Sequence, residues 1–443
     1  MKFFFPDAQD FVDPSFDFRT ERRADTRRRH HDDQYAHEVF SSAPFDGLLV
    51  SKAIVDGVAG GVSGKYSIAQ RHRLLRLGAR SFFRLNERPE TAGLETIGDC
   101  GAFSYVREAR PPFSVDDVID FYEACGFDYG ISVDHVILEY DPELDGGLFE
   151  LVPGALRERQ AVTLELAREF LHRHTHRRCR FTPMGVAQGW SPASYAHAVR
   201  ELQAIGFRRI ALGGMVPLKT HEILATLAAV DAVRAPATGL HLLGISRVDH
   251  VERFSEYGVV SFDSTSPLRR AFKDDKENYF TLDRTYTAVR VPQVEGNPKL
   301  QRAIVAGQVN QAAARRLERA CLEALERYDL HESPLDPVLD VLEEYEHLYA
   351  GTSTRRAAYR EVLGDRPWAT CPCDICRDLG VHVVLFRGAE RNRRRGFHNV
   401  FVFHERLRRE LGRVLRLPTA SDAGPRAPAP SVVPTARHSR GTR

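Results

Sequence analysis

From Phe45 onward, short apolar runs alternate with stretches in which apolar residues recur every three or four positions. The runs Gly47–Val55, Ser81–Leu85, Gly130–Asp134, Arg180–Gln188, Arg209–Gly213, Gly239–Gly244 and Val259–Asp263 predict strands. Between them Val115–Cys125, Ala155–His172, Ser191–Ile205, His221–Val233 and Val248–Tyr257 carry helix periodicity. Alternation sustained over more than 200 residues argues for an α/β fold with a parallel sheet. The length and number of units favour a closed (β/α)8 TIM barrel over an open doubly wound sheet.

The flanks read differently. Residues 1–44 are polar and rich in arginine, with Arg22-Arg23 and Arg27-Arg28-Arg29, and are expected to form a solvated arm with some capacity to touch phosphate. Residues 45–284 supply the main part of the barrel, and 285–367 read as a helical insertion built from Lys299–Tyr328, Leu335–Tyr349 and Thr354–Val362. Residues 368–416 form a metal-binding subdomain with a closing helix. Residues 417–443 are a Pro, Ala, Ser and Arg tail expected to be disordered.

Composition adds little beyond class. With 443 residues, 43% hydrophobic and 28% charged, the chain is long enough to bury a large core, and a net charge of +2 leaves any nucleic-acid footprint to local patches. Met1-Lys-Phe-Phe-Phe-Pro begins like a signal peptide, but the apolar run ends at once in Asp7, Gln9 and Asp10, and no spanning segment follows. Cys100, Cys125, Cys179 and Cys321 show no disulfide framework, so a reducing cytoplasmic setting is expected. G-x-G-x-x-G, a Walker A loop, G-x-S-x-G and H-E-x-x-H are all missing, which removes support for nucleotide-cofactor, hydrolase-elbow and metalloprotease chemistry.

Two constellations carry chemistry. Cys371, Cys373 and Cys376 fall within six residues, and His398 follows 22 positions after the last of them. Three thiolates and an imidazole are the donor set of a closed, structural Zn2+ site. His382 and His404 lie within reach as other fourth ligands, and a reduced cysteine cluster is the bland reading. His172-Arg-His174-Thr-His176 is read instead as cationic side chains at a helix C-terminus. The second constellation is Asp134, Gln188, Gly213-Gly214 and Asp263, each at the carboxyl end of a strand candidate, with Asp99 in the turn-rich stretch Thr96–Phe103. One such aspartate most often caps the next helix. Five such positions point to one barrel mouth, where the active sites of this fold lie.

Together Gly98-Asp99-Cys-Gly101-Ala-Phe103, Ser132-Val-Asp134, Gly185-Val-Ala-Gln188-Gly189, Leu212-Gly213-Gly214-Met-Val-Pro217-Leu218, Leu243-Gly244, Phe262-Asp263 and the cysteine–histidine motif resemble the tRNA-guanine transglycosylase superfamily. The likeness covers roughly residues 45–275 and 368–413. Met1–Pro6, Ser51–Gly57 and Asp263-Ser-Thr-Ser-Pro267 resemble the branch that acts on DNA and inserts a 7-deazaguanine base. The resemblance implies Asp263 as nucleophile on C1′ and Asp99 as acid/base on N9. It also implies Phe103 stacked on the base, Asp134 accepting from N1 and the 2-amino group, Gln188 and the Gly213-Gly214 backbone at O6, and Leu243 closing the other face.

Two departures refine this. Where related tRNA enzymes carry a glutamate facing an aminomethyl cation, this chain reads Val216-Pro-Leu-Lys219, which favours the neutral nitrile of 7-cyano-7-deazaguanine (preQ0); a lysine on the surface, away from the pocket, is the competing reading. The insertion lengthens the path from Asp263 to Cys371, either as a packing module or as a platform for DNA, and no RNA-binding domain follows the metal motif. Arg269, Arg270, Arg391, Arg393, Arg394 and Arg395 are the candidate phosphate contacts, and a helper protein that opens or delivers DNA is a possible partner. A tRNA-modifying enzyme and a silent nucleic-acid-binding barrel are the alternatives.

Overall fold

The computed structural model describes residues 1–58, 63–146, 152–352 and 354–414; the expected disordered tail lies outside the described residues. Eight parallel strands close into a barrel in chain order: β1 (Lys2–Pro6), β2 (Gly47–Ser51), β3 (Glu95–Asp99), β4 (Tyr129–Ile131), β5 (Thr182–Ala187), β6 (Arg209–Leu212), β7 (Gly239–Leu242) and β8 (Val259–Asp263). β1 pairs with β8, bringing Phe4 opposite Asp263.

The first strand corrects the expectation of a polar arm. Its period-two pattern shows why the apolar start exists: Phe4 points inward with Leu49, Ile97, Ile131, Met184, Val186 and Ala211 to fill the barrel. Phe3 points outward, its ring 4.8 Å from that of Phe403 on the closing helix Gly388–Val414. The rest of the segment also folds. Arg27 pairs with Asp13 at 3.0 Å and with Asp33 at 2.6 Å, and Arg23 reaches Asp13 at 3.2 Å and Glu390 at 3.0 Å.

Two further expectations change. Ser81–Leu85 is no strand: Ala79–Phe82 is a short helix entered through Gly78 at φ +75°, with Phe82 and Phe83 both buried. A short apolar run does not by itself separate strand from helix. Conversely, β3 was hidden by its polar letters Glu95-Thr-Ile-Gly-Asp99. Gly98 is required there, because a Cβ would lie 2.4 Å from the ring of Tyr122.

The insertion opens as two helices, Pro298–Val305 and Gln311–Asp329, followed by Leu335–Ala350 and Arg356–Asp365. It is fastened by Tyr345 Oη donating to Pro292 O at 2.8 Å and Tyr328 Oη donating to Leu363 O at 2.8 Å. The short parallel pair Val289–Arg290 with Leu385–Phe386 ties its beginning to the cysteine-bearing segment. Among the described residues no helix is long and apolar enough to cross a membrane.

Candidate active site

All eight strands feed their carboxyl ends into one cavity of about 1150 Å3. Its lining joins Asp7 and Asp10 after β1, Ser51 of β2, Asp99 and Phe103, Asp134, Gln188, Gly213 and Gly214, Leu243 and Gly244, and Asp263. Asp99, Phe103, Asp134, Gln188, Gly213, Gly214, Leu243 and Asp263, which span more than 160 positions of chain, are therefore brought together in one place.

Asp263 ends β8 and is nearly buried. Its Oδ1 accepts from the Gly244 N–H at 3.1 Å and lies 3.2 Å from His241 Nε2. Gly244 holds φ +75°, and a Cβ there would come 2.6 Å from Val216. Asp99 Oδ2 accepts from Ser51 Oγ at 2.6 Å. Desolvation pushes the Asp99 carboxyl above its ordinary range, and the Asp263 carboxylate pushes it the same way.

Asp134, at 2% exposure, is pushed up to about 7 by burial first and by the charge of Asp99 second. One of its oxygens accepts from Gln188 Nε2 at 2.7 Å and the other from the Cys100 thiol at 3.2 Å. Gln188 Oε1 in turn accepts from the Ile137 N–H at 3.1 Å, so this side chain braces Asp134 against the β4 loop. The glycines that follow β6 make room for that brace. A Cβ on Gly213 would sit 2.2 Å from Gln188 Nε2, and one on Gly214, at φ +72°, would sit 2.1 Å from Ile137 O.

At the rim, Phe103 is 55% exposed with its ring free to meet a ligand, and Val216 is 47% exposed. Arg269 and Arg270 project from the helix Ser266–Lys273 that follows β8, both lining the cavity. Arg270 also pairs with Asp274 and Glu277, each at 3.3 Å. Lys219 does not line the cavity: it is exposed and its backbone N–H donates to Glu222 at 2.6 Å, opening the helix Thr220–Asp231. Lys219 is therefore a surface residue and places no charge in the cavity.

The arginines before His398 are not a phosphate grip. Arg391 and Arg395 are 1% and 0% exposed, and Arg394 is buried beside them. Arg391 pairs with Glu21 and stacks on Phe18, Arg394 pairs with Glu390 at 2.8 Å and donates to Asp13 O at 2.7 Å, and Arg395 donates to Leu385 O at 2.7 Å. Arg393 is half-buried and donates to Phe11 O at 3.3 Å. Arg391, Arg393 and Arg394 seal the N-terminal segment onto the closing helix, and Arg395 ties that helix to Leu385 and Ala271. Sequence reading mistook them because a basic run written in a row is, on a helix, spread around all faces.

Cys371, Cys373, Cys376 and His398 come together with donor atoms within 4.8 Å of one another, a set able to hold a metal ion. His398 fits this use: its Nε2 donates to Phe280 O at 2.8 Å, which leaves Nδ1, 3.3 Å from both Cys373 and Cys376 Sγ, as the free lone pair. Tyr279 stacks on the imidazole at 4.3 Å. His382 and His404 are engaged elsewhere, with Arg391 and Asp46 respectively. Asn399 next in line donates to Pro267 O at 3.3 Å and to Asn278 O at 3.1 Å, and Gly396 allows the helix to close on Leu268, where a Cβ would be 2.6 Å away. His398 thus sits on the same stretch of the closing helix as Gly396 and Asn399, which pack against the helix that leaves the Asp263 strand.

Three contributors escaped the sequence reading: His241, Ser51 and the acidic pair Asp7 and Asp10. Burial, with Asp7 next, pushes Asp10 up to about 6. His241 had a signal, a polar residue at an inward position of an otherwise apolar strand. His172 and His176 sit on the last turns of the helix Gly154–Arg177, remote from the cavity lining.

No family model matches the chain. It is 49% identical over 415 residues to a curated protein from Salmonella montevideo named DNA-guanine transglycosylase, an alignment covering 93% of this chain and 97% of that protein.

Proposed function

Because the chain belongs to the DNA-guanine transglycosylase family, whose members are glycosyltransferase-type enzymes, we propose that it exchanges guanine in DNA for preQ0 through a covalent aspartyl–sugar intermediate. In this reading Asp263 attacks C1′ of the target deoxyguanosine; the C1′–N9 bond breaks, its electron pair goes to N9, and Asp99 supplies the proton. The incoming base then gives its N9 proton to Asp99 and attacks C1′, and the pair of the C1′–O bond returns to Asp263. The observation that carries this is the difference between two carboxylates in one cavity. Asp263 has an oxygen held by N–H donors, as suits an ionised nucleophile, whereas burial favours the protonated, acid form of Asp99. Retaining glycosidases use the same division of labour.

Asp134 is proposed to accept from N1 and the 2-amino group of the base, with Gln188 as its brace and the Gly213-Gly214 backbone at O6. Phe103 and Leu243 would cover the two faces of the ring. The preference for a nitrile over an ammonium rests on Val216, which offers an apolar surface to the cavity where a carboxylate would be needed to hold a cation. Arg269 and Arg270 would hold the phosphates of the flipped nucleotide's strand, and a partner protein would open or deliver the duplex. The Cys3His set suits Zn2+, bound closed and structural, with no step of the reaction assigned to it.

Nucleoside mass spectrometry on DNA and tRNA from cells expressing the chain with preQ0 supplied tests the reading. Cyano-deazaguanine in DNA that vanishes with Asp263→Asn is expected. Modification confined to tRNA, or faster exchange of the aminomethyl base, would overturn the substrate assignment.

A further inference from the structure

Asp263 is not held by the backbone alone. His241 of β7 is fully buried, its Nδ1 lies 2.8 Å from Ser261 Oγ and its Nε2 3.2 Å from Asp263 Oδ1. A register irregularity between Leu240 and His241 sets His241 opposite Ser261, and the imidazole meets the ring of Phe4 edge-on at 6.1 Å. A carboxylate only accepts, so Nε2 carries the hydrogen toward Asp263; Nδ1 then accepts from the Ser261 hydroxyl. With the Gly244 N–H on the same atom, Oδ1 has two donors, and Asp263 lines the cavity with Oδ2 left for the sugar in the reading above.

We infer that the Ser261–His241 pair is a positioning device for the nucleophile that governs how readily Asp263 leaves the sugar. The inference rests on the transglycosylase reading given above. While Asp263 is a carboxylate, the N–H of His241 is bonded to a full share of negative charge. In the glycosyl ester Oδ1 is a carbonyl oxygen, a weaker acceptor. The hydrogen bond therefore stabilises the free carboxylate more than the ester. It assists the second half of the exchange, in which the C1′–Oδ2 bond breaks and its electron pair returns to Asp263.

Removing the donor should trap the enzyme part-way. His241→Leu, mixed with a guanine-containing oligonucleotide and preQ0, is expected to turn over about tenfold to a hundredfold more slowly, the scale of one charge-assisted hydrogen bond, while a larger fraction of enzyme runs as the covalent DNA complex on a denaturing gel. His241→Gln, whose amide keeps an N–H near the position of Nε2, should restore turnover and lower the trapped fraction. Ser261→Ala should shift both quantities the same way as Leu by a smaller factor, and it carries the test if the Leu variant does not fold. A Leu or Ala variant with wild-type turnover and trapped fraction would overturn the inference, as would slow turnover with an unchanged fraction that Gln does not restore. If wild-type enzyme exchanges no guanine and forms no covalent complex even when the incoming base is left out, the covalent-exchange reading fails, a result distinct from failure of the role given to His241.

Discussion

The barrel mouth and the seam beneath the closing helix are both dense in buried charge, yet they treat it in opposite ways. Along the seam the carboxylates meet guanidiniums: Glu21 is gripped by Arg387 and Arg391, Glu390 by Arg23 and Arg394, and Asp13 by Arg23 and Arg27, while the fully buried Arg395 is held by the carbonyls of Leu385 and Ala271. Burial opposes ionisation of Glu21, but the two guanidiniums hold its carboxyl down at about 2. At the mouth the carboxylates of Asp99, Asp134 and Asp263 meet hydroxyl, amide, thiol, imidazole and backbone donors, and no guanidinium bonds to them among the described residues. Charge that is paired holds a structure together, whereas charge left facing a cavity is available for chemistry.

The comparison breaks most sharply at Asp263. Asp263→Asn should reduce exchange by at least about 10^3-fold with an unchanged melting temperature, since the change is isosteric and removes only the nucleophile. A covalent adduct surviving in that variant would remove Asp263 from the role. Cys373→Ser should act in the other currency, lowering bound metal and stability together because metal binding and folding of such a segment are coupled; full metal occupancy by elemental analysis would show the ligands are others. Glu21→Gln, which removes the ion-pair partner of the buried Arg391 while Arg387 keeps Glu318 at 2.6 Å, should cost roughly 3 kcal/mol in denaturant unfolding. The Glu21 carboxyl is depressed in the fold, so its contribution is present above the ordinary glutamate value and is lost as pH falls toward about 2.

A finer prediction concerns pH. The Asp134 carboxyl is raised to about 7, so it is protonated below that value in the free pocket and presents one acceptor fewer to a guanine edge. Affinity for the incoming base should weaken as pH falls below about 7, seen as a rising KM; a flat KM from well above to well below that point would place the recognition elsewhere. The smallest effect separates the two sets of arginines. Arg269→Ala should weaken DNA binding at all sequences and reduce the slope of log affinity against log salt by about one. Arg395→Ala should leave that slope unchanged and appear only as lost stability.

Much was legible in the chain before any coordinates. The alternation of apolar runs and helix-period stretches gave the closed barrel, because a parallel sheet requires a crossover helix between its strands. Short ordered motifs gave Asp99, Asp134, Gln188, Gly213-Gly214 and Asp263, and these do share one cavity. The Cys371–Cys373–Cys376 spacing, with His398, named a metal-binding set that the fold closes.

Other features were decided only in three dimensions. Lys2–Pro6 became a strand because its pairing partners are Gly47–Leu49 and Ser261–Asp263, separated from it by tens to hundreds of residues. The run Arg391–Arg395 became a seam because the partners of Arg391 and Arg394, Glu21 and Asp13, come from the far end of the chain. His241 became a neighbour of Asp263 through the register of β7 on β8, which no local pattern specifies. Periodicity and spacing are properties of neighbouring letters, so the sequence alone determined the barrel, the cysteine–histidine set able to hold a metal and the strand-end carboxylates. Whether a charge is paired depends on contacts between distant segments, so only the tertiary structure separated the arginines that brace the fold from the carboxylates left to react.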